Sequence, residues 1–226
     1  GETVESWFEM GLLHASDWTA KWIAGKHKEK HNERCPADCF RRVFSIKKEV
    51  KYARLYVSAC GLYELILNGQ RVGDAVLTPG NTDIRKRIQY QTYDATELIM
   101  SSNTLEALLA DGWYRGTVGA FGPRNVYGRQ TKLLCQLEIT YIDDDHESIG
   151  TDLAWDWSND GSIRFADLED GEIIDASMQP SYSFRPILAD IKSLPTPSAS
   201  DNVLLKRHER FKGRLVVTPS GERVID

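Results

Sequence analysis

The stretch ARLYVSACGLYELILNGQRVGD, residues 53–74, decides the fold class. Ala53, Leu55 and Val57 fall on one side of an extended chain, while Arg54, Tyr56 and Ser58 fall on the other. Successive side chains of a strand point to opposite faces, so this period of two predicts a strand with one buried face. The next run repeats the pattern, with Tyr63, Leu65 and Leu67 opposite Leu62, Glu64 and Ile66. Asn68-Gly69 then offers two residues that tolerate positive φ, which predicts a tight hairpin turn.

Working outward, further strands are expected at 39–46, 87–94, 104–110, 131–142 and 149–155, and at 203–206 with 214–218. IDDDHES at 142–148 reads as a hairpin loop between two of them. One helical turn is expected within 94–101, where Asp94 stands as an N-cap with Glu97 three residues on. Many short strands separated by Gly, Asn, Asp and Pro predict an all-β fold, a jelly-roll-like β-sandwich with short flanking segments from neighbouring domains. The charged HKEKHNERCPAD at 27–38 and the Pro/Ser-rich SLPTPSASDN at 193–202 mark boundaries. They divide the chain into 1–26, a segment entering from an upstream domain; 27–192, the sandwich; and 193–226, a linker with the first strands of a following domain.

Bulk properties narrow the function classes. A chain of 226 residues can bury a sizeable core, and 41% hydrophobic with 27% charged residues is an ordinary globular composition. A net charge of −5 gives no electrostatic footprint for nucleic acid or an anionic membrane. No apolar run reaches the roughly 18 residues that a spanning helix needs. The start, GETVESWFEMGLL, lacks the basic and apolar regions of a signal peptide and an initiator Met. SGERVID ends on a strand-like run, so both ends read as cut from a longer polypeptide. Four scattered cysteines are too few for a disulfide framework, and Cys60 and Cys135 read as free buried thiols.

His27, His31, Cys35 and Cys39 are each four residues apart and would offer zinc two nitrogens and two sulfurs from one helix face. Pro36 falls inside that run and would break such a helix, so a solvated loop is the plainer reading. Asp143, Asp144 and Asp145 read as a hairpin tip, and DLEDGE at 167–172 as turn chemistry around Asp170-Gly171. Neither sits in a Gly-x-Ser-x-Gly elbow, a phosphate-binding glycine loop or a His-Glu-x-x-His helix. A complete active site is therefore not expected in this chain.

LLADGWYRGTVGAFGPRNVYG, residues 108–128, admits two readings. As a binding loop, Trp113, Tyr114 and Tyr127 would stack on a sugar ring while Arg115, Asn125 and Asp111 hydrogen-bond its hydroxyls. As packing, Trp113 and Tyr114 would plug the core while Gly112, Gly116 and Gly119 let the chain turn beneath them. Large aromatics are mostly packing residues, which favours the second.

Several of these motifs, in order, carry a resemblance. The run from Ala53 to Thr96, then LLADGWYRGTVG, GPRNVYG and DLEDGEIIDA, resembles the N-terminal domain of bacterial α-L-rhamnosidases of glycoside hydrolase family 78. SWFEMGLLHASDWTAKWIA resembles the segment entering that domain, and HERFKGRLVVTPSGERVID the opening of the next. The resemblance implies a multidomain enzyme that removes terminal α-L-rhamnose by inversion, with its acid and base on a C-terminal (α/α)₆ barrel outside this chain. That barrel and neighbouring β domains are the implied partners, and a periplasmic or secreted parent is an open choice beside a cytoplasmic one. Some relatives of this sandwich are calcium-dependent L-rhamnose-binding modules. On that reading Asp74, in VGD, and Asn125, in RNVYG, would supply oxygen to the cation. Relatives usually read Pro-Gly-Trp-Thr-Asp-Tyr where this chain has Pro79-Gly80-Asn81-Thr82-Asp83-Ile84, so two aromatic faces are missing.

Overall fold

The computed structural model describes residues 8–26, 33–119 and 121–225. In chain order the strands are β1 (Ile23–Ala24), β2 (Asp38–Ser45), β3 (Val50–Cys60), β4 (Leu62–Leu67), β5 (Gln70–Arg71), β6 (Gln89–Asp94), β7 (Ser102–Ala110) and β8 (Lys132–Tyr141). They continue with β9 (His146–Gly150), β10 (Asp156–Ser158), β11 (Ile163–Asp167), β12 (Gly171–Ile174), β13 (Ile187–Leu188), β14 (Ser198–Ala199), β15 (Leu215–Val217) and β16 (Arg223–Ile225). The first sheet runs β13-β1-β8-β3-β6-β14, with β9 also paired to β8, and the second runs β10-β2-β7-β4-β5. A single helical turn, α1 (Gly112–Arg115), follows β7.

The two sheets pack face to face, and the alternation read from residues 53–67 supplies both walls. Ala53, Leu55 and Val57 of β3 join Leu137 and Ile139 of β8 in one cluster with Tyr63, Leu65 and Leu67 of β4 and Leu105 and Leu109 of β7. Asn68 and Gly69 take φ of 54° and 79°, and the chain reverses there from β4 into β5. The expected helical turn is a 3₁₀ turn at Thr96–Leu98, in which Asp94 accepts from the Thr96 N–H at 3.0 Å.

Two expectations change. Of the strand read at 149–155 only Ile149 and Gly150 belong to one, β9, which begins at His146 inside the expected loop; 151–155 are irregular, and 156–158 is a separate strand in the other sheet. Residues 203–206 form no strand, only the single Ala75–Lys206 bridge, while Leu215–Val217 is a strand that pairs with Arg223–Ile225 across a turn closed by Thr218 and Glu222. Residues read as flanks also enter the first sheet. Ile23 and Ala24 are fully buried in β1, and Ser198–Ala199 pairs parallel to Gln89–Tyr90.

The first sheet is covered on its outer face too, which is why Tyr56 and Ser58 are buried along with their neighbours. Gln136 anchors that cover. Its Oε1 accepts from the N–H groups of Thr19 and Ala20 at 2.7 and 2.9 Å, and its Nε2 donates to the Asp17 carbonyl at 2.8 Å. One buried amide thus pairs backbone groups that would otherwise lie unsatisfied against the sheet. Trp18, Trp22, Tyr114 and Leu134 then pack as a second apolar cluster. Gln136→Ala should release residues 17–22 and lower stability by about 2–4 kcal/mol. Urea unfolding of the variant, with tryptophan fluorescence as the probe, measures it.

Candidate functional site

The Gly-rich segment after β7 turns abruptly because Gly112 takes φ +48° against β4. A Cβ there would meet Leu62 Cγ at 2.4 Å. Gly116 closes the single turn of α1 under equal crowding, since a Cβ would meet the Gly112 carbonyl at 2.2 Å and Asp167 Oδ2 at 2.7 Å. Between these glycines Tyr114 packs into the second apolar cluster, 5% exposed, and Trp113 is half-buried.

Arg115 is 2% exposed, and its Nε donates to Asp111 Oδ1 at 2.7 Å, one helical turn back. Asp111 Oδ2 in turn accepts from Arg124 Nη2 at 2.8 Å. Arg124 Nη1 reaches Asp167 Oδ2 at 2.8 Å, on the β11–β12 hairpin, and the guanidinium lies 5.1 Å from the Phe165 ring centroid. Asp167 also accepts from the backbone N–H groups of Thr117, at 2.7 Å, and Glu169, at 2.9 Å. The result is a buried chain of alternating charge, Arg115–Asp111–Arg124–Asp167, that staples the loop to the hairpin. Burial disfavours the Arg115 charge, but Asp111 and Asp38 outweigh it and raise its pKa. Burial pushes the Asp111 carboxyl up against the pull of both arginines. At Asp167 burial pushes the same way but loses to the backbone donors and Arg124, so that carboxyl is held below its ordinary value.

Beyond this staple, residues 117–119 and 121–124 lie in a tongue closed by the Thr117–Arg124 bridge and by a Gly122 N–H to Gly119 carbonyl bond of 3.0 Å. Phe121 stands at its tip fully exposed. Beside the loop lies an open groove of about 210 Å³, walled by Leu62, Leu77, Leu108, Ile163 and Leu168 with Glu64 and Glu172 at its polar positions.

The residues proposed from sequence are distributed as follows. Tyr114 and Arg115 point into the protein, and neither they nor Trp113 line the groove, whereas Gly112 does. Asn125 has φ +61° and its backbone N–H donates to the Arg115 carbonyl at 3.1 Å, while its buried Nδ2 has no acceptor among the described residues. Tyr127 is half-buried, with the Arg85 guanidinium 5.7 Å from its ring centroid. Asp74 is exposed, and its Oδ2 pairs with Lys206 Nζ at 2.9 Å. The structure brings Asn125 together with Arg115, and gives Asp74 a different partner. Of the zinc constellation, His27 and His31 lie outside the described residues; Cys35 sits in irregular chain and Cys39 in strand β2. These two cysteines share no helix face, because the chain after Pro36 is extended. Among the described residues no group of three or more His, Cys, Asp and Glu is arranged to hold a metal. Sequence reasoning missed Arg124 and Asp167; the signal for Asp167 was present in DLEDGE, but nothing local says which cation it meets.

Arg124→Met, which keeps the apolar stem and removes the charge, should cost about 3–5 kcal/mol by leaving buried carboxylates short of a partner. The acid limb tests the second carboxylate. Asp167 has a depressed pKa in the fold, so its stabilisation is complete above the unfolded value near 4 and is lost as pH falls through the lower folded value. Asp111 has a raised pKa and works in the opposite sense, blunting that loss. Asp167→Asn should therefore be less stable at pH 7 and decline less steeply below about pH 5, as followed by urea midpoints across pH. An unchanged slope would remove Asp167 from the account.

Comparison with known proteins agrees with this architecture. A family model described as Alpha-L-rhamnosidase N-terminal domain matches residues 48–199. An α-L-rhamnosidase of Formosa agariphila is 35% identical over 222 residues, 93% of this chain and 24% of the relative. One from Streptomyces avermitilis is 41% identical over 191 residues, 84% of this chain and 18% of the relative. The chain thus spans about a quarter or less of the length of these curated relatives. The crystal structure of the native enzyme from Aspergillus terreus superimposes with a TM-score of 0.90 at 31% identity, covering 96% of this chain and 27% of that one. The Streptomyces avermitilis enzyme complexed with L-rhamnose gives 0.76 at 39% identity, covering 82% and 19%. With the match to its model spanning residues 48–199, the chain belongs to the α-L-rhamnosidase N-terminal domain family.

Proposed function

We propose that this chain is a non-catalytic β-sandwich of an α-L-rhamnosidase, a rigid wall that supports the part hydrolysing terminal α-L-rhamnose from glycans or glycosides. The observation that carries the reading is that the most open apolar side chains of the described residues fall mainly in three segments. Phe8, Met10 and Leu13 are 90, 71 and 61% exposed, and Phe121 is 100% exposed at the tip of its tongue. In the C-terminal segment Val203, Phe211 and Ile225 are 97, 86 and 78% exposed. Exposed apolar surface on this scale marks contact with another body. The hairpin β15–β16 makes the point separately, since an isolated pair of strands is marginal in water without something to pack on. The partners in this reading are the catalytic barrel and neighbouring β domains of the same polypeptide.

Electrostatics supports the non-catalytic part. An acid–base pair must present its carboxyl groups to substrate across a cleft. Asp111 and Asp167 instead face arginines, and Glu64, on the groove, pairs with Arg71 at 3.0 Å.

The purified chain should release no nitrophenol from an α-L-rhamnoside at concentrations where a full-length relative is active. Turnover abolished by Glu64→Gln or Glu172→Gln would reverse the reading. L-Rhamnose, with or without calcium, should leave its melting temperature unchanged; a rise growing with ligand concentration would favour the alternative, an L-rhamnose-binding module. Finally, truncation after Arg207 should shift the melting temperature by no more than about 2 °C, because the removed hairpin buries little against the sandwich. A loss of several degrees would mean that those residues serve this fold rather than a neighbour.

A further inference from the structure

Past the cover at residues 17–22, the outer face of the first sheet opens into a cavity of about 490 Å³. Its floor is laid out by strand register. Arg54 stands between Asp94 of β6 and Glu138 of β8, and Tyr52, Thr140 and His146 form the adjacent row. On β3 these side chains alternate with the core residues Ala53, Leu55 and Val57, so they project outward. One wall is the segment 8–10, which is tied down from both ends. Both Glu9 carboxylate oxygens lie 2.9 Å from Arg54 Nε, and the Tyr90 hydroxyl donates to the Leu12 carbonyl at 2.8 Å.

The polar groups facing this cavity are not used up by the fold. Tyr56 is 5% exposed, with its ring edge-on to Tyr90 and the centroids 5.9 Å apart. Its hydroxyl has no hydrogen-bond partner among the described residues, and it is not sealed from the cavity that the side chain lines. Burial, with the negative charges of Glu9 and Glu138 behind it, pushes that phenol up to about 12, so it stays a neutral hydroxyl. Glu138 accepts from Gln136 Nε2 at 2.7 Å but forms no ion pair among the described residues. Thr140 Oγ1 and His146 Nδ1 lie 3.0 Å apart beside it. Tyr52 is 39% exposed, with Met10 and Phe8 on the same rim.

A carboxylate only accepts and a phenol both donates and accepts, so a ligand bearing several hydroxyls answers both. The exposed ring of Tyr52 offers an apolar face to the C–H side of such a ligand. Glu9 and Arg54 offset one another, which leaves Glu138 as the net charge of the lining and disfavours an anion. We infer that this face binds a two-ring stretch of a neutral glycan, with Tyr56 and Glu138 on its hydroxyls and Tyr52 against a ring face. The volume lies within the roughly 300–1,000 Å³ of pockets for drug-sized ligands, which suits two sugar rings rather than one. The site uses nothing of the Gly-rich loop, and it does not depend on the supporting role proposed above.

Thermal-shift and calorimetric titrations of the chain with maltose, cellobiose and lactose test the site, beside sorbitol, digalacturonate and glucosamine. At least one disaccharide should raise the melting temperature in proportion to the logarithm of its concentration. Sorbitol, which has hydroxyls but no ring, and the anionic digalacturonate should not. Tyr56→Phe removes only the hydroxyl. It should leave the melting temperature of the free chain within about 1 °C and weaken the disaccharide about fivefold, the worth of one neutral hydrogen bond. Glu138→Gln should weaken it about tenfold, because hydrogen bonds to a charged acceptor are stronger. No response to any disaccharide, an equal response to sorbitol or digalacturonate, or unchanged affinity in Tyr56→Phe would each overturn the assignment. So would a response to glucosamine alone, which would make Glu138 the partner of a cation. A loss of several degrees in unliganded Tyr56→Phe would overturn it too, since the hydroxyl would then already have a partner.

Discussion

The guanidinium of Arg124, held between the carboxylates of Asp111 and Asp167, is the interaction on which the edge of this sandwich depends. Its side chain is 9% exposed, and burying an ion costs several kcal/mol that only a complete set of partners offsets. The set is nearly complete: the Asp111 and Asp167 carboxylates, that of Asp170 at 3.4 Å, the Thr117 hydroxyl at 3.2 Å and the face of Phe165. The end of β7 and the end of β11 share no ladder. A planar fork with several donors can span that gap where a lysine, with its single charged point, cannot. Once the span is made, the loop between Gly112 and Arg124 has little freedom left. Its exposed tongue is then displayed by a fixed base rather than by a mobile connection.

The same logic explains what could be read from sequence. The core was legible wherever a strand was long enough to show its period: Ala53, Leu55 and Val57, then Tyr63, Leu65 and Leu67, lie on the faces their spacing demands. The Asn68-Gly69 reversal was legible because its φ requirement is local. Ile23–Ala24, Ile187–Leu188 and Ser198–Ala199 were not, since two residues carry no period and their partners lie far away in sequence. Burial of Tyr56 and Ser58 escaped for a related reason. The polar face of β3 looks solvent-facing until residues 17–22 are laid over the sheet, and the group that fixes them there is Gln136, more than a hundred positions away.

At the loop, residue type told half the story. Arg115 was a donor, as expected, yet its acceptor is Asp111 in its own turn, an i,i+4 pair that a one-turn helix creates. Tyr114 was an aromatic surface, but Gly112 and Gly116 rotate the chain so that this surface meets Trp22 and Leu134. Donors and rings were visible in the sequence; the direction in which they point was set by glycines whose effect appears only when Leu62 and Asp167 stand opposite them.

Charge is used differently at the Gly-rich loop and in the C-terminal segment, and this sets where rigidity stops. The Arg124 pairs are buried, so their strength is little affected by salt or solvent. The Lys206–Asp74 pair that tethers the C-terminal segment is 46 and 70% exposed, and an ion pair so open to water contributes about 1 kcal/mol at most. Beside it the Val76 N–H donates to the Leu205 carbonyl at 2.9 Å, and among the described residues the later hydrogen bonds stay within the β15–β16 hairpin. Upstream, Asp201 and Asn202 are tied to Gln89 at 3.0 Å each, in the first sheet. The step from paired side chains at 201–202 to one weak tether at 206 separates a rigid wall from an arm whose apolar residues have no surface of this sandwich to cover. An arm of that kind can adjust to a neighbour without straining the sheets, while the stapled loop at the other edge cannot.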